Sequence, residues 1–130
     1  MKKALILTAI TLCFVLMLSF SAAPANAEQA TPNGSTAAGY YLYTDYGYYY
    51  VPLDTVVGYG NIISGKYVRA AQAALTHINN HESVSCDPHG IDGLFGDYTF
   101  NAVQAFQTYA GITSDGYVGD DTWLSMQLTL

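Results

Sequence analysis

The stretch that decides the fold is a nine-residue motif that occurs twice. Motif 1 is Asp92-Gly93-Leu94-Phe95-Gly96-Asp97-Tyr98-Thr99-Phe100, and motif 2 is Asp115-Gly116-Tyr117-Val118-Gly119-Asp120-Asp121-Thr122-Trp123. Five of the nine positions are identical, and the last position is aromatic in both copies. A sequence motif that is repeated within a chain indicates an internal duplication. We therefore predict that the C-terminal half of the chain is a small domain built from two related units.

Each motif has the composition of a turn that leads into a helix. The Asp-Gly pair suits a tight turn with positive φ at glycine, and the second glycine allows another such bend. The apolar residue between the glycines, Phe95 or Val118, is then directed into the core. The next residue, Asp97 or Asp120, is placed to cap the following helix, a contribution of about 1 kcal/mol. The residues that we assign to this scaffold are Asp92, Gly93, Phe95, Gly96, Thr99, Asp115, Gly116, Gly119, Thr122 and Trp123.

Helical periodicity predicts three helices. The first runs from Ser64 or Gly65 to near Asn79-Asn80, the second covers residues 98–110 with Gly111 as C-cap, and the third is capped by Asp120 or Asp121. The residues expected to face the core are Val68, Ala71, Leu75 and Ile78, then Ala102, Val103, Phe106 and Ala110, and finally Trp123, Leu124 and Leu128. The predicted fold class is mainly α, a compact three-helix bundle over residues 60–130.

A tyrosine-rich extension, residues 40–59, precedes the bundle and contains eight of the chain's twelve tyrosines. Alternating tyrosines on both sides of Thr44-Asp45-Tyr46-Gly47 predict a two-stranded hairpin that ends at Pro52. A lone hairpin is marginal in water, so it should pack on the following domain or stay mobile. Three interpretations of the tyrosines stay open: an outer hairpin of the fold, an aromatic platform for sugar rings, or a surface for self-association.

The first 27 residues are typical of a secretory signal peptide. Lys2 and Lys3 precede an apolar run over residues 4–20 and the small residues Ala25-Asn26-Ala27. Residues 28–39 are small and polar, which predicts a flexible leader. Cleavage would remove two of the four basic residues and leave two against ten acidic ones, a net charge of −8. We therefore expect a secreted protein with no nucleic-acid partner and no membrane partner after cleavage.

Three blocks of the sequence together resemble the peptidoglycan-binding domain type 1. The blocks are Tyr67-Val68-Arg69-Ala70-Ala71-Gln72-Ala73-Ala74-Leu75, motif 1 followed by Ala102-Val103 and Phe106-Gln107, and motif 2 preceded by Gly111. The resemblance covers about residues 60–128. It implies a three-helix module that attaches secreted proteins to bacterial cell-wall peptidoglycan, usually beside a hydrolase domain. The stretch before Asp92 is longer than in the family, and we expect no catalytic domain on this chain.

Recognition of a sugar or a peptide requires a groove with a few hydrogen-bonding groups and an aromatic floor. The second helix offers such side chains off its apolar stripe, where we expect them to be exposed beside the repeat turns; the loop before Asp92 is a further candidate. These candidate ligand-binding residues are Tyr98, Asn101, Gln104, Gln107 and Tyr109. The predicted function is non-enzymatic binding of peptidoglycan, through its glycan or its stem peptide, at the cell wall. The alternative is a secreted interaction or inhibitor protein that binds another protein through Tyr40–Tyr50.

Metal binding and catalysis have weaker support in the sequence. The two motifs lack the carboxylates of an EF-hand calcium loop. A zinc site can be imagined from four residues, His77, His81, Cys86 and His89. The two imidazoles share a face only if the first helix continues to His81, and the Asn79-Asn80 pair favours an earlier end. We predict no metal and no cofactor. A wall hydrolase would need a zinc-bound water or a pair of carboxylates, so we also predict no enzymatic activity.

Overall fold

The computed structural model describes residues 38–130. The predicted signal peptide, residues 1–27, and residues 28–37 of the predicted leader lie outside this range. Two strands, β1 (Gly39–Thr44) and β2 (Gly47–Pro52), precede three helices, α1 (Lys66–His81), α2 (Asp97–Ala110) and α3 (Asp120–Thr129). The predicted mainly helical fold with an N-terminal hairpin is therefore confirmed. Within residues 38–130, no helix has the length and apolar character needed to cross a bilayer.

The hairpin packs into the same core as the helices. β1 and β2 are antiparallel, and the pairing of Thr44 with Gly47 leaves a two-residue turn between them. Because side chains alternate across a strand, Leu42 and Val51 point inward and are fully buried. Tyr43 and Tyr48 lie on the opposite face and are exposed. The hairpin thus contributes apolar side chains to one core shared with all three helices.

The last helix buries a narrower face than its sequence suggested. Trp123 and Met126 are fully buried, and the Trp123 indole N–H donates a hydrogen bond of 2.8 Å to the Thr55 carbonyl. Leu124 and Leu128 are 45% and 76% exposed, so the prediction that they turn inward is wrong. Residues 123 and 126 share a face at helical spacing, and the two leucines lie outside it.

Helix α1 continues one to two residues beyond the predicted end. Both asparagines that suggested a stop use their side chains in contacts with other segments. Asn79 Oδ1 accepts a hydrogen bond from the backbone N–H of Cys86 at 2.9 Å, and Asn80 Nδ2 donates to the Tyr46 hydroxyl at 3.0 Å. These contacts remove the local competition with the backbone that makes asparagine a helix breaker. The helix therefore includes His81.

The two glycines of each motif have different roles. Gly93 and Gly116 have φ values of 75° and 78°, as predicted for the Asp-Gly turn. Gly96 and Gly119 are extended N-cap residues of α2 and α3, with φ of −132° and −99°, so the predicted second bend with positive φ is wrong. Thr99 in the first turn of α2 and Thr122 in the first turn of α3 are both buried.

The aspartates after these glycines do not cap the helices, which corrects the capping prediction. Both helices lack a side-chain cap hydrogen bond. Asp97 instead accepts a hydrogen bond from the Tyr59 hydroxyl, and Asp120 accepts one from the backbone N–H of Asp54 at 3.1 Å. A carboxylate in the first helical turn is still favoured by the helix dipole. The two aspartates therefore tie the segment after the hairpin to the starts of α2 and α3.

The segment between β2 and α1, residues 53–65, holds both motifs by backbone hydrogen bonds. Val57 and Val118 exchange two of these bonds, at 3.1 and 2.8 Å. The Phe95 N–H donates to the Ile63 carbonyl at 2.8 Å. Phe95 and Val118 occupy equivalent motif positions, and both are buried, as predicted. The segment thus fixes the apolar residue of each motif in the core.

The contrast between the glycines of motif 2 gives a first test. A Cβ at Gly116 would lie 2.1 Å from the Phe100 ring, and its φ is in the left-handed region, whereas a Cβ at Gly119 meets nothing within 4 Å. We expect Gly116→Ala to lower the free energy of unfolding by about 2–4 kcal/mol and Gly119→Ala by less than about 1 kcal/mol. Urea denaturation followed by circular dichroism measures both. Equal losses would contradict the assigned roles.

Candidate functional site

Motif 2 is folded around a glutamine from the preceding helix. The Gln107 amide nitrogen is within hydrogen-bonding distance of Asp115 Oδ1, the Tyr117 carbonyl and Thr122 Oγ1, at 2.9, 2.8 and 3.1 Å. The amide oxygen accepts a hydrogen bond of 2.9 Å from the Gly116 N–H. The buried Gln107 side chain therefore connects the Asp115-Gly116 turn to Tyr117 and to the first turn of α3.

Motif 1 repeats this arrangement with a glutamine from α1. The Gln72 amide nitrogen lies 2.9 Å from Asp92 Oδ1, 3.0 Å from the Leu94 carbonyl and 3.1 Å from Thr99 Oγ1. Its oxygen accepts from the Gly93 N–H at 2.8 Å. The backbone N–H of Leu94 and the Gln72 amide lower the pKa of the Asp92 carboxyl. Each repeat unit therefore also includes the helix that precedes its motif, α1 in the first unit and α2 in the second. The repeated motif alone did not reveal this.

A sequence signal for these glutamines exists within the helices. Val68-Arg69-Ala70-Ala71-Gln72 and Val103-Gln104-Ala105-Phe106-Gln107 share the pattern Val-x-Ala-x-Gln. The exposure predicted for Gln107 is wrong, because the side chain is 1% exposed and its donors and acceptor are engaged within the motif. Among residues 38–130, every buried side-chain nitrogen or oxygen has a hydrogen-bond partner. Gln107 thus belongs to the scaffold.

The loop between α1 and α2 lies along the exposed side of α2. At one end, the Tyr109 hydroxyl donates a hydrogen bond of 3.0 Å to Glu82 Oε2, which raises the pKa of Tyr109. At the other end, the His89 ring stacks on Tyr98, with centroids 4.3 Å apart and an interplanar angle of 27°. His89 has a φ of 61°, and its N–H donates to Asp87 Oδ1 at 2.8 Å. A turn around Asp87 therefore presents the imidazole to α2.

The stacked pair of His89 and Tyr98 separates two shallow concavities. One has a volume of about 210 Å³ and contains Asp87 and Asn101. The other, of about 190 Å³, opens toward motif 1 and contains Asp92. An aromatic surface flanked by fixed hydrogen-bonding groups can bind a ring-shaped or amide-containing ligand. We call the surface formed by residues 85–89, Tyr98 and Asn101 the loop face.

Four of the five predicted ligand-binding residues reach the surface of α2. Tyr98 is 65% exposed, Tyr109 is 44% exposed, Asn101 is exposed and Gln104 is half-buried. Tyr98 and Asn101 lie together in the loop face, and Tyr109 lies further along the helix beside Glu82. The signal that sequence reasoning missed is His89, whose stacking partner depends on the path of the loop.

The four residues considered for zinc do not converge on one point. Cys86 is buried, its thiol donates to the Leu75 carbonyl at 3.4 Å, and burial raises its pKa to about 11. The thiolate needed for metal binding or nucleophilic attack is therefore disfavoured at neutral pH. His89 stacks on Tyr98, whereas His77 and His81 meet the hairpin turn.

A comparison with protein families identifies the helical region. Residues 64–126 match the model of the family named "Putative peptidoglycan binding domain". This match covers slightly less than half of the chain. The match contains both motifs, both glutamines and the whole loop between α1 and α2.

Parts of longer proteins resemble this chain. N-acetylmuramoyl-L-alanine amidase CwlL of Bacillus licheniformis is 35% identical over 69 residues, 53% of this chain and 19% of the amidase. An uncharacterized protein in the bpoA1 3' region of Kitasatospora aureofaciens is 40% identical over 63 residues, 48% of this chain and 49% of that protein. The chain therefore spans less than half the length of these relatives.

A solved structure shares this fold and part of the sequence. It is the crystal structure of a peptidoglycan-binding protein from Clostridioides difficile in complex with glutamine hydroxamate. The two structures superimpose with a TM-score of 0.52 at 36% identity, over 65% of this chain and 48% of that chain. The similarity covers more of the chain than the family match does.

The helical domain has a further concavity, of about 360 Å³, at motif 2. Asn61, Thr113 and Tyr117 line it together with the carboxylates of Asp120 and Asp121. It occupies the place in the second unit that the concavity beside Asp92 occupies in the first. The two units therefore present depressions at equivalent positions with different flanking residues, because only the first has a long loop beside it.

The role of Gln107 can be separated from that of its neighbour on α2. We expect Gln107→Leu, which preserves most of the volume, to lower the free energy of unfolding by about 2–4 kcal/mol, since it leaves the Gly116 N–H and its other partners unpaired. Gln104→Leu is the matched control, one turn earlier, with an expected change within about 0.5 kcal/mol. Chemical denaturation of both variants provides the measurement. A mild effect of Gln107→Leu would contradict the scaffold role.

Proposed function

We propose that this protein is secreted and binds bacterial peptidoglycan without cleaving it. The observation that carries the proposal is the family match over residues 64–126, which contains the loop face. The amidase is similar to the chain over 69 residues, and the Clostridioides difficile peptidoglycan-binding protein is similar over 65% of the chain. Such a module would hold its protein at the cell wall.

The loop face is the binding surface that we propose within this domain. The Tyr98 ring is exposed although it stacks on His89, so one side of the pair can contact a sugar ring or an apolar group of a stem peptide. Asn101 and Asp87 line the concavity beside it. Hydrogen bonds from such groups would orient a ligand that the rings hold. Gln104 and Tyr109 extend the proposed surface along α2.

The non-catalytic role rests on the surroundings of the candidate reactive groups. The Cys86 thiol is buried and has a raised pKa. Glu82 accepts a hydrogen bond from Tyr109. Asp92 accepts hydrogen bonds from Gln72 and from the Leu94 N–H, which suits a turn better than proton transfer to a substrate. These engagements favour a binding module over a wall hydrolase.

Sedimentation with insoluble peptidoglycan tests the loop face. We expect the protein to pellet with the polymer and the double variant Tyr98→Ala/Asn101→Ala to bind roughly tenfold to thirtyfold more weakly, since it loses a ring contact and a hydrogen bond. Tyr43→Ala is the matched control, because Tyr43 is 68% exposed and Tyr98 is 65% exposed. Isolated glycan and stem peptides as competitors distinguish the two parts of the polymer. Failure of the unmutated protein to pellet at low salt would overturn the proposed function.

A turbidity assay tests the absence of hydrolysis. We expect a peptidoglycan suspension to keep its optical density over hours with the protein, because binding alone breaks no bond. A known wall hydrolase provides the positive control. A steady decrease in optical density that scales with protein concentration would contradict the non-catalytic role.

The hairpin supports a second candidate function, binding of another protein. Tyr41, Tyr43, Tyr48 and Tyr50 lie on its outer face, with ring centroids 4.8 to 6.1 Å apart in neighbouring pairs. A concavity of about 390 Å³ lies between Tyr41, Tyr43, Gln127 and Leu130. Exposed tyrosine clusters are common in protein interfaces. In the sedimentation assay, a loss of binding with Tyr43→Ala but not with the loop-face variant would instead assign the hairpin to peptidoglycan.

A further inference from the structure

The end of α1 and the hairpin turn bring together three metal-ligating side chains outside the loop face. Asp45 Oδ2 lies 2.6 Å from His81 Nε2 and 3.4 Å from His77 Nδ1. One ligand atom from each residue lies within 4.8 Å of the other two. We propose that His77, His81 and Asp45 form a site for one Zn²⁺ ion, with water as the fourth ligand.

The distances suit a tetrahedral ion. Zinc binds imidazole nitrogen and carboxylate oxygen at about 2.0–2.2 Å, which puts two ligand atoms of a tetrahedral site about 3.4 Å apart. The pair of Asp45 and His77 already has this separation. The pair of Asp45 and His81 must open by less than about 1 Å to reach it. Both of these side chains are about half exposed, so they can move without disturbing the core.

The helix supplies the two imidazoles in a suitable arrangement. His77 and His81 are four residues apart, so they stand one above the other on one face of α1. Their ring centroids are 4.3 Å apart, with an interplanar angle of 35°. His77 Nδ1 accepts a hydrogen bond from the Asp45 backbone N–H at 3.1 Å, which requires an unprotonated nitrogen. The lone pair that accepts this hydrogen bond is the one that would bind the ion.

The hairpin supplies the carboxylate. Asp45 is in the two-residue turn that the pairing of Thr44 with Gly47 closes, so its position is fixed by the strands. The hydrogen bond to His81 lowers the pKa of Asp45, and its carboxylate is therefore ionised at neutral pH. The ion would connect the turn to a helix 32 residues later, clamping the hairpin onto α1. This inference is independent of peptidoglycan binding.

Titration with zinc tests the site directly. For the purified protein without a polyhistidine tag, we expect isothermal titration calorimetry to detect one Zn²⁺ per chain. We also expect a rise in Tm of roughly 10 °C at a free zinc concentration 100 times the Kd, which a chelator reverses. His77→Ala, His81→Ala and Asp45→Asn should each abolish the effect. His89→Ala removes the chain's third histidine and should retain zinc binding.

The pH dependence distinguishes a zinc site from a simple ion pair. Zinc binds the unprotonated imidazole and its binding releases protons, so the zinc-induced rise in Tm should be larger in neutral than in acidic buffer. A simple ion pair between a histidine and Asp45 would instead leave Tm unchanged on addition of zinc or of a chelator in either buffer. The neighbouring titratable groups are Tyr46, bound by Asn80, and Glu82, bound by Tyr109. The proposal would be overturned if zinc raised Tm at no pH tested. It would also be overturned if the His89→Ala variant lost the zinc-induced rise in Tm.

Discussion

The rest of the structure depends on a buried glutamine in each repeat unit. A primary amide has two donors and an acceptor, and burying it without partners is costly. Gln72 and Gln107 satisfy this requirement with the same four kinds of partner, at distances that agree within 0.2 Å. Each glutamine therefore fixes the Asp-Gly turn, the residue after it and the start of the next helix as one unit. The positions of Phe95 and Val118 in the core follow from that unit.

The two units use the same arrangement with very different connections. The glutamine and the aspartate that it binds are 20 residues apart in the first unit and 8 residues apart in the second. Because the entropy of loop closure rises slowly with length, the extra residues cost little stability. They form the loop that brings His89 onto Tyr98. The candidate binding face thus depends on a longer connection that the glutamine network tolerates, and the shorter connection leaves motif 2 with an open concavity instead.

The sequence allowed prediction of features that depend on local chemistry. The Asp-Gly turns, the left-handed Gly111 after α2 and the alternation in the hairpin each follow from backbone preferences of a few residues. Features set by distant partners were not predictable in this way. Asp97 looked like a cap and is held by Tyr59, and Gln107 looked like a surface residue because its partners come from the following turn. The loop face was predictable in part, since Tyr98 and Asn101 are exposed but the stacking of His89 depends on tertiary structure.

The hairpin completes a core that the family region leaves open. Residues 64–126 contain Trp123, but the acceptor of its indole N–H is Thr55, and Leu42 and Val51 pack in the same cluster. Without residues 40–63, the indole N–H would lose its partner and these apolar contacts would be replaced by water, both of which are unfavourable. The inward face of the hairpin is therefore required by the fold. Only its outward face, with Tyr43 and Tyr48, and its turn, with Asp45, are free to acquire a function of their own.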